Sequence, residues 1–196
     1  MNHHSSRLSR RTKRHIAIVG LSLIIAVLTG LRLQAGALGQ RLLDAQPGLL
    51  PVVHVNDGDT IIVREPDGSE ETVRFLGVDT PEVKDPRKPV QCYGPEASAH
   101  TKHILTGAKV RLEPDAEDSD RDKYGRLLRY VYLPDGTLYN AALIRQGYGF
   151  AYTVFPITKL DDFKALEQTA QQANRGLWAT CRINASSQIK QTAGSK

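Results

Sequence analysis

Leu50-Pro51-Val52-Val53-His54-Val55, Asn56-Asp57-Gly58-Asp59 and Thr60-Ile61-Ile62-Val63 follow one another without a gap. Two apolar, β-branched runs flank a short polar cluster, which is the signature of two strands joined by, or bent at, a glycine. Outward from this stretch, Glu65-Pro66-Asp67-Gly68 is a turn signal. Thr72-Val73-Arg74-Phe75-Leu76-Gly77-Val78 then reads as a third strand that stops at Thr80-Pro81. Three consecutive strands with short connections make a meander.

Residues 82–91 hold prolines and charges and read as a loop. A helix follows, with Pro95 in its first turn and Gly107 at its end. Lys109-Val110-Arg111-Leu112-Glu113 alternates as a fourth strand, and residues 126–133 form a fifth before Pro134-Asp135-Gly136 turns the chain. The charged stretch between them, residues 114–123, is expected to be mobile. Two more helices are predicted, over 138–146 with Gly147 as stop and over 158–174 with Thr158 as cap and Gly176 as stop. Trp178 is expected to pack back on the core. The whole is α+β but mainly β: an OB-type five-stranded barrel with about three packed helices. Domain boundaries follow as 49–182 for the barrel, 33–48 for a stalk and 183–196 for a polar tail expected to lack order.

Residues 1–32 are different in kind. Arg7, Arg10, Arg11, Lys13 and Arg14 precede an uncharged run from Ile16 to Leu31, closed by Arg32. That run is borderline for a spanning helix and slightly long for the apolar part of an export signal. An uncleaved anchor is the preferred reading, with cleavage near Ala35-Gly36-Ala37 as the alternative. Under both, the basic flank sends the rest of the chain out of the cytoplasm, either tethered to the membrane through this segment or secreted. Residues 1–40 account for the formal charge of +5, because they hold six basic side chains and no acid, and beyond them twenty basic side chains face twenty-one acidic ones. Global charge therefore gives no argument for nucleic-acid binding. The two cysteines, Cys92 and Cys181, are an even pair in an oxidising compartment and invite a disulfide, the alternative being two unrelated thiols. A bridge would tie the loop before the first helix to the end of the last.

Local chemistry carries more. Asp57-Gly58-Asp59 alone is more often a turn than a ligand set. Val78-Asp79-Thr80-Pro81-Glu82 adds carboxylates at the end of the neighbouring strand, however, and converging acids begin a site for a hard cation. Arg74 lies on a strand with one buried face and needs an anionic partner, which a structural carboxylate or a bound phosphate would each supply. Arg126 opens the fifth strand after the charged loop. His54, His100 and His103 lack metal-type spacing, and the last two read as surface residues.

Taken together, Asp57-Gly58-Asp59-Thr60, Arg74-Phe75-Leu76-Gly77-Val78-Asp79-Thr80-Pro81-Glu82, Tyr93-Gly94-Pro95-Glu96-Ala97, Asp122-Lys123-Tyr124-Gly125-Arg126 and Asn140-Ala141-Ala142-Leu143-Ile144-Arg145-Gln146-Gly147 resemble the staphylococcal nuclease (thermonuclease) family. The blocks occur in the family's order from about Val53 to Trp178. The resemblance implies an OB-type barrel and calcium-dependent hydrolysis of DNA and RNA to 3′-phosphorylated products. By motif, Asp59 and Asp79 would bind Ca2+ through carboxylates and Thr80 through its carbonyl, with Asp57 as a nearby acid. Glu82 matches the general base or water-positioning residue, Arg74 and Arg126 the phosphate-binding arginines, and Lys123 and Tyr124 positions that touch a terminal phosphate. Around Gly149-Phe150-Ala151-Tyr152-Thr153-Val154-Phe155 the chain departs from the family, and either Tyr152 or Thr153 stands where a pocket tyrosine is usual. A monomer is expected. A non-catalytic nucleic-acid-binding module and a calcium-stabilised tethered structural protein are the competing readings; the presence of the whole acid and arginine set disfavours both.

Overall fold

The alternation read from the first strands becomes the inside and outside of a closed barrel. In the computed structural model, which describes residues 48–86, 89–186 and 189–194, strand β1 (Leu49–Val55) pairs antiparallel with β2 (Thr60–Arg64), and β2 with β3 (Glu70–Phe75). Val52, Val55, Ile61, Val63, Val73 and Phe75 point into the core, each worth roughly 1.5–3 kcal/mol of burial. The Glu65–Gly68 turn closes as read, with Asp67 accepting the Ser69 amide. Strands β5 (Lys109–Glu113) and β6 (Leu127–Tyr132) pair with each other; β5 returns antiparallel to β1, and β6 runs parallel to β3. The order β1-β2-β3-β6-β5 leaves no open edge.

The third strand is shorter than its residues suggest. Gly77 takes φ +67°, a conformation where an added Cβ would also run into Ile157 and Phe163. The chain turns out of the barrel there, and Val78–Asp79 become a separate strand, β4, paired with β7 (Phe150–Ala151). This break carries Asp79 off the barrel wall.

Helix α1 (Gly94–Leu105) has proline in its first turn, and α2 (Tyr139–Gln146) ends on Gly147 at φ +77°. Helix α3 (Leu160–Gln172) starts after the expected cap. Thr158 is not a cap, because its amide (2.9 Å) and its hydroxyl (2.6 Å) donate to Asp115 instead. The same aspartate accepts the Tyr130 hydroxyl, while Arg121 pairs with Glu71 at 2.9 Å and Arg129 with Asp120 at 2.6 Å. These contacts pin the segment 114–123 that charge alone marked as mobile. A single turn, α4 (Leu177–Thr180), sets the Trp178 ring edge-on to Phe150 at 5.3 Å.

The tail is also more ordered than its composition implied. Ile183–Ser186 (β8) and Ile189–Thr192 (β9) form a hairpin. It is held by Lys190 on the buried Glu167 at 2.6 Å and by Thr192 on the Cys92 carbonyl at 2.7 Å. Cys92 and Cys181 are joined in a disulfide. His100, expected at the surface, stacks on Tyr148 with ring centroids 4.0 Å apart. Among the described residues no helix is long and apolar enough to cross a membrane. The anchor or signal over 1–32, and the stalk up to residue 47, lie outside the described residues.

Candidate active site

The bend between β1 and β2 and the outward step at β4 bring two acidic loops together. The Asp59 amide donates to the Asp57 carboxylate at 3.2 Å, and Thr101 caps the Gly58 carbonyl at 2.7 Å. A Cβ on Gly58 would lie 2.6 Å from the Thr80 hydroxyl, so only glycine lets the two loops close on each other. Across that contact Asp59 Oδ2 accepts both the Thr80 amide (2.7 Å) and the Thr80 hydroxyl (2.8 Å).

Arg74 is clamped in the same network. Its Nη2 lies 2.7 Å from Asp79, and its Nη1 lies 3.2 Å from Asp59 and donates to the Val78 carbonyl at 2.7 Å. Burial alone would weaken its charge, but Asp59, Asp79 and Asp57 hold the guanidinium protonated. The carboxylates outnumber it. Burial first, then the Asp59 charge, push Asp57 from 3.8 up to about 6. Among the described residues no three acids, histidines or cysteines are set in metal-ligand geometry. The donor set is nonetheless all oxygen and carries negative charge that Arg74 does not balance, which suits a hard divalent cation.

The facing wall is built by the turn into β6. Gly125 donates to the Asp122 carbonyl, and Asp122 Oδ1 accepts the Tyr124 and Arg126 amides. Its Oδ2 takes Arg126 Nε and Nη2, each at 2.7 Å. Asp122 therefore aims the guanidinium, a role the sequence marked only through its Asp-x-x-Gly-Arg turn. Arg126 and Lys123 lie over the ring of Tyr124, which is 72% exposed. Between the walls lies a cleft of about 430 Å3, lined among others by Arg74, Asp79, Lys123, Tyr124, Arg126 and Tyr152. At the divergent stretch, Tyr152 rather than Thr153 lines it, held by its amide on the Gly77 carbonyl at 2.9 Å.

Glu82 stands apart from that lining. Its Oε1 accepts the amides of Val83 (2.8 Å), Lys84 (2.6 Å) and Asp85 (3.2 Å) of its own loop. The structure thus gathers Asp57, Asp59, Arg74, Asp79 and Thr80 into one network. It sets Arg126, Lys123 and Tyr124 across the cleft and leaves Glu82 at the head of the adjoining loop.

A family model described as Staphylococcal nuclease homologue matches residues 72–180, more than half of the chain. The chain belongs to the staphylococcal nuclease family. A thermonuclease of Staphylococcus hyicus is 43% identical over 129 residues, 65% of this chain and 74% of that protein. Endonuclease YncB of Bacillus subtilis (strain 168) is 45% identical over 63% of this chain and 58% of its own length. A thermonuclease of Staphylococcus intermedius is 46% identical over 62% of this chain and 68% of its own. The staphylococcal nuclease match starts within β3 and runs through α4, so it spans Arg74, Asp79, Glu82 and Arg126. The Asp57-Gly58-Asp59 bend lies just before it.

Proposed function

We propose that the chain is a calcium-dependent nuclease that hydrolyses phosphodiester bonds of DNA and RNA with little sequence preference, leaving 3′-phosphorylated products. One observation carries the reading: Arg74, from the third strand, and Arg126, from the turn that leads into the sixth, line a single cleft together with Asp79. Two planar guanidiniums facing one space match the bidentate donation that a phosphodiester and its five-coordinate transition state accept. Relatives named thermonuclease and endonuclease support the same class.

In this reading Arg74 and Arg126 bind the non-bridging oxygens and stabilise the charge that grows there. Asp122 keeps Arg126 aimed, and Asp79 orients Arg74. Glu82 accepts a proton from the attacking water; the water oxygen bonds to phosphorus, the bond from phosphorus to the 5′ oxygen breaks, and that oxygen takes a proton from solvent water as Glu82 returns its own to solvent. Asp59, Asp79 and the Thr80 carbonyl would hold calcium, which supplies positive charge next to the phosphoryl oxygens when bound. Lys123 and Tyr124 contact a terminal phosphate, and Tyr152 offers a ring beside the sugar and base. In this reading phosphate is the main handle, so both nucleic acids are accepted. The basic flank and apolar run over 1–32 support an activity outside the cytoplasm, tethered to the membrane or secreted. The test is cleavage of single-stranded DNA by the purified protein with calcium, magnesium or chelator. Activity confined to calcium is expected, since the smaller magnesium ion demands stricter octahedral geometry. Full activity in chelator would overturn the metal assignment, and an Arg126→Ala variant as fast as the wild type would overturn the arginine's role.

A further inference from the structure

Gln91 is a polar residue at 8% exposure in a loop, and both its side chain and its backbone reach Glu82. Its Oε1 accepts the Glu82 amide at 2.7 Å, and its own amide donates to the Glu82 carbonyl at 2.9 Å. The two residues thus close the loop 82–91 on itself like the base of a hairpin. Only one of these two bonds needs a glutamine. Any residue would supply the backbone amide; only a side-chain acceptor of this length supplies the other.

Gln91 is itself anchored from the far end of the chain. It bridges Gly194, and its carbonyl accepts the Gly94 amide that opens α1. The next residue, Cys92, donates to the Ala193 carbonyl at 2.9 Å, accepts from Thr192, and is bonded to Cys181. The bonded set of helix, hairpin and disulfide therefore ends at Gln91, and Gln91 ties the Glu82 backbone to it. The Glu82 carboxylate in turn depends on this backbone, because three successive amides of the same loop hold its Oε1.

We infer that Gln91 is a positioning residue for Glu82, set in place by the Cys92–Cys181 bridge and the C-terminal hairpin. The inference rests on the general-base role proposed for Glu82. It acts through the loop backbone and involves no contact with substrate. Removing the acceptor leaves the Glu82 amide unpaired at a half-buried site, and the carboxylate loses its fixed aim.

The experiment is a cycle of Gln91→Ala, Glu82→Gln and the double variant in the full chain, measured on single-stranded DNA with calcium. It is accompanied by hydrogen exchange at the Val83, Lys84 and Asp85 amides. Gln91→Ala is expected to lower kcat about tenfold, the worth of one hydrogen bond, with KM little changed. In the Glu82→Gln background the same substitution is expected to cost less than about twofold, since the base it aims is already gone. Gln91→Glu, which keeps the acceptor, is expected to restore most of kcat, and exchange of the three amides is expected to quicken about tenfold in Gln91→Ala alone. Equal losses in both backgrounds, or a loss confined to KM, would overturn the inference. Should Glu82→Gln turn over like the wild type, the reading of Glu82 as base fails. The exchange data then decide separately whether Gln91 sets the loop, and unchanged protection in Gln91→Ala would refute it.

Discussion

Replacing Arg74 with alanine tests the charge balance on which the site is built. The guanidinium side chain is 15% exposed and faces Asp59 at 9% and Asp79 at 32%. Removing one partner of a buried ion pair costs roughly 3–5 kcal/mol, because the remaining charge is left without compensation. Asp79 is open enough for water to recover much of its share, so the Asp59 contact and the two carbonyl acceptors set the cost. The expected loss is therefore about 3 kcal/mol in chelator, near the lower end of that range. Urea unfolding followed through Trp178, the one tryptophan of the chain, is a suitable assay because its ring packs on Phe150. Calcium is expected to narrow the gap between variant and wild type, since the variant offers three acids with no competing guanidinium and binding to the native state adds stability by mass action. Arg74→Lys keeps one charge but not the fork, and is expected to fall between the two. A variant within about 0.5 kcal/mol of the wild type in chelator, the scatter of an ordinary surface substitution, would refute the reasoning. So would a gap that calcium leaves unchanged.

Three further outcomes are expected. Burial alone would raise the Asp115 carboxyl, yet the hydrogen bonds from Thr158 and Tyr130 outweigh it and hold its pKa down at about 2 against 3.8 unfolded; its contribution is thus present above pH 4 and lost as pH falls through 2. Acid titration of Asp115→Asn should show a shallower loss in that window and, discounting for solvent, about 1 kcal/mol less stability at pH 7; an unchanged acid limb would count against it. Reducing the Cys92–Cys181 bridge, which closes a loop of sequence separation 89, should lower stability by roughly 2–4 kcal/mol, and coincident urea midpoints with and without reductant would deny it a stabilising role. A reporter active only in the cytoplasm, fused after Lys196, should stay silent if the N-terminal segment exports the domain; strong signal would reverse the topology.

The meander was legible because Ile61, Val63, Val73 and Phe75 alternate with polar or partly exposed neighbours, and alternation is a local property. The parallel pairing of β3 with β6 joins Arg74 to Leu128 across more than fifty residues, and no local pattern encodes such a pair. Gly77 looked like part of a strand; it takes a positive φ, and Ile157 and Phe163, far along the chain, pack where a Cβ would stand. Thr158 had the chemistry of a helix cap and was claimed by Asp115, a competitor from the segment whose charges suggested mobility. The tail differs from its expectation for a related reason, since Lys190 pairs with Glu167 and Thr192 donates to the Cys92 carbonyl. Within the site, the acids and arginines could be read as a set because the motifs crowd them at strand ends. Their partners could not: that Arg74 faces Asp59 and Asp79 depends on the step at β4, and that Asp122 aims Arg126 depends on the turn into β6. Glu82 could be nominated from its motif, but its grip on three loop amides and its tie to Gln91 are visible only in three dimensions.

The most direct test of the account is the rate of single-stranded DNA cleavage by wild type and Glu82→Gln, side by side, in calcium and in chelator. The glutamine keeps an oxygen for the Val83, Lys84 and Asp85 amides, so the loop should persist while the proton acceptor is lost. Calcium-dependent cleavage by the wild type is expected, with a fall in kcat on the order of 100-fold in the variant and binding retained. Equal rates in the two proteins, or cleavage that proceeds undiminished in chelator, would contradict it.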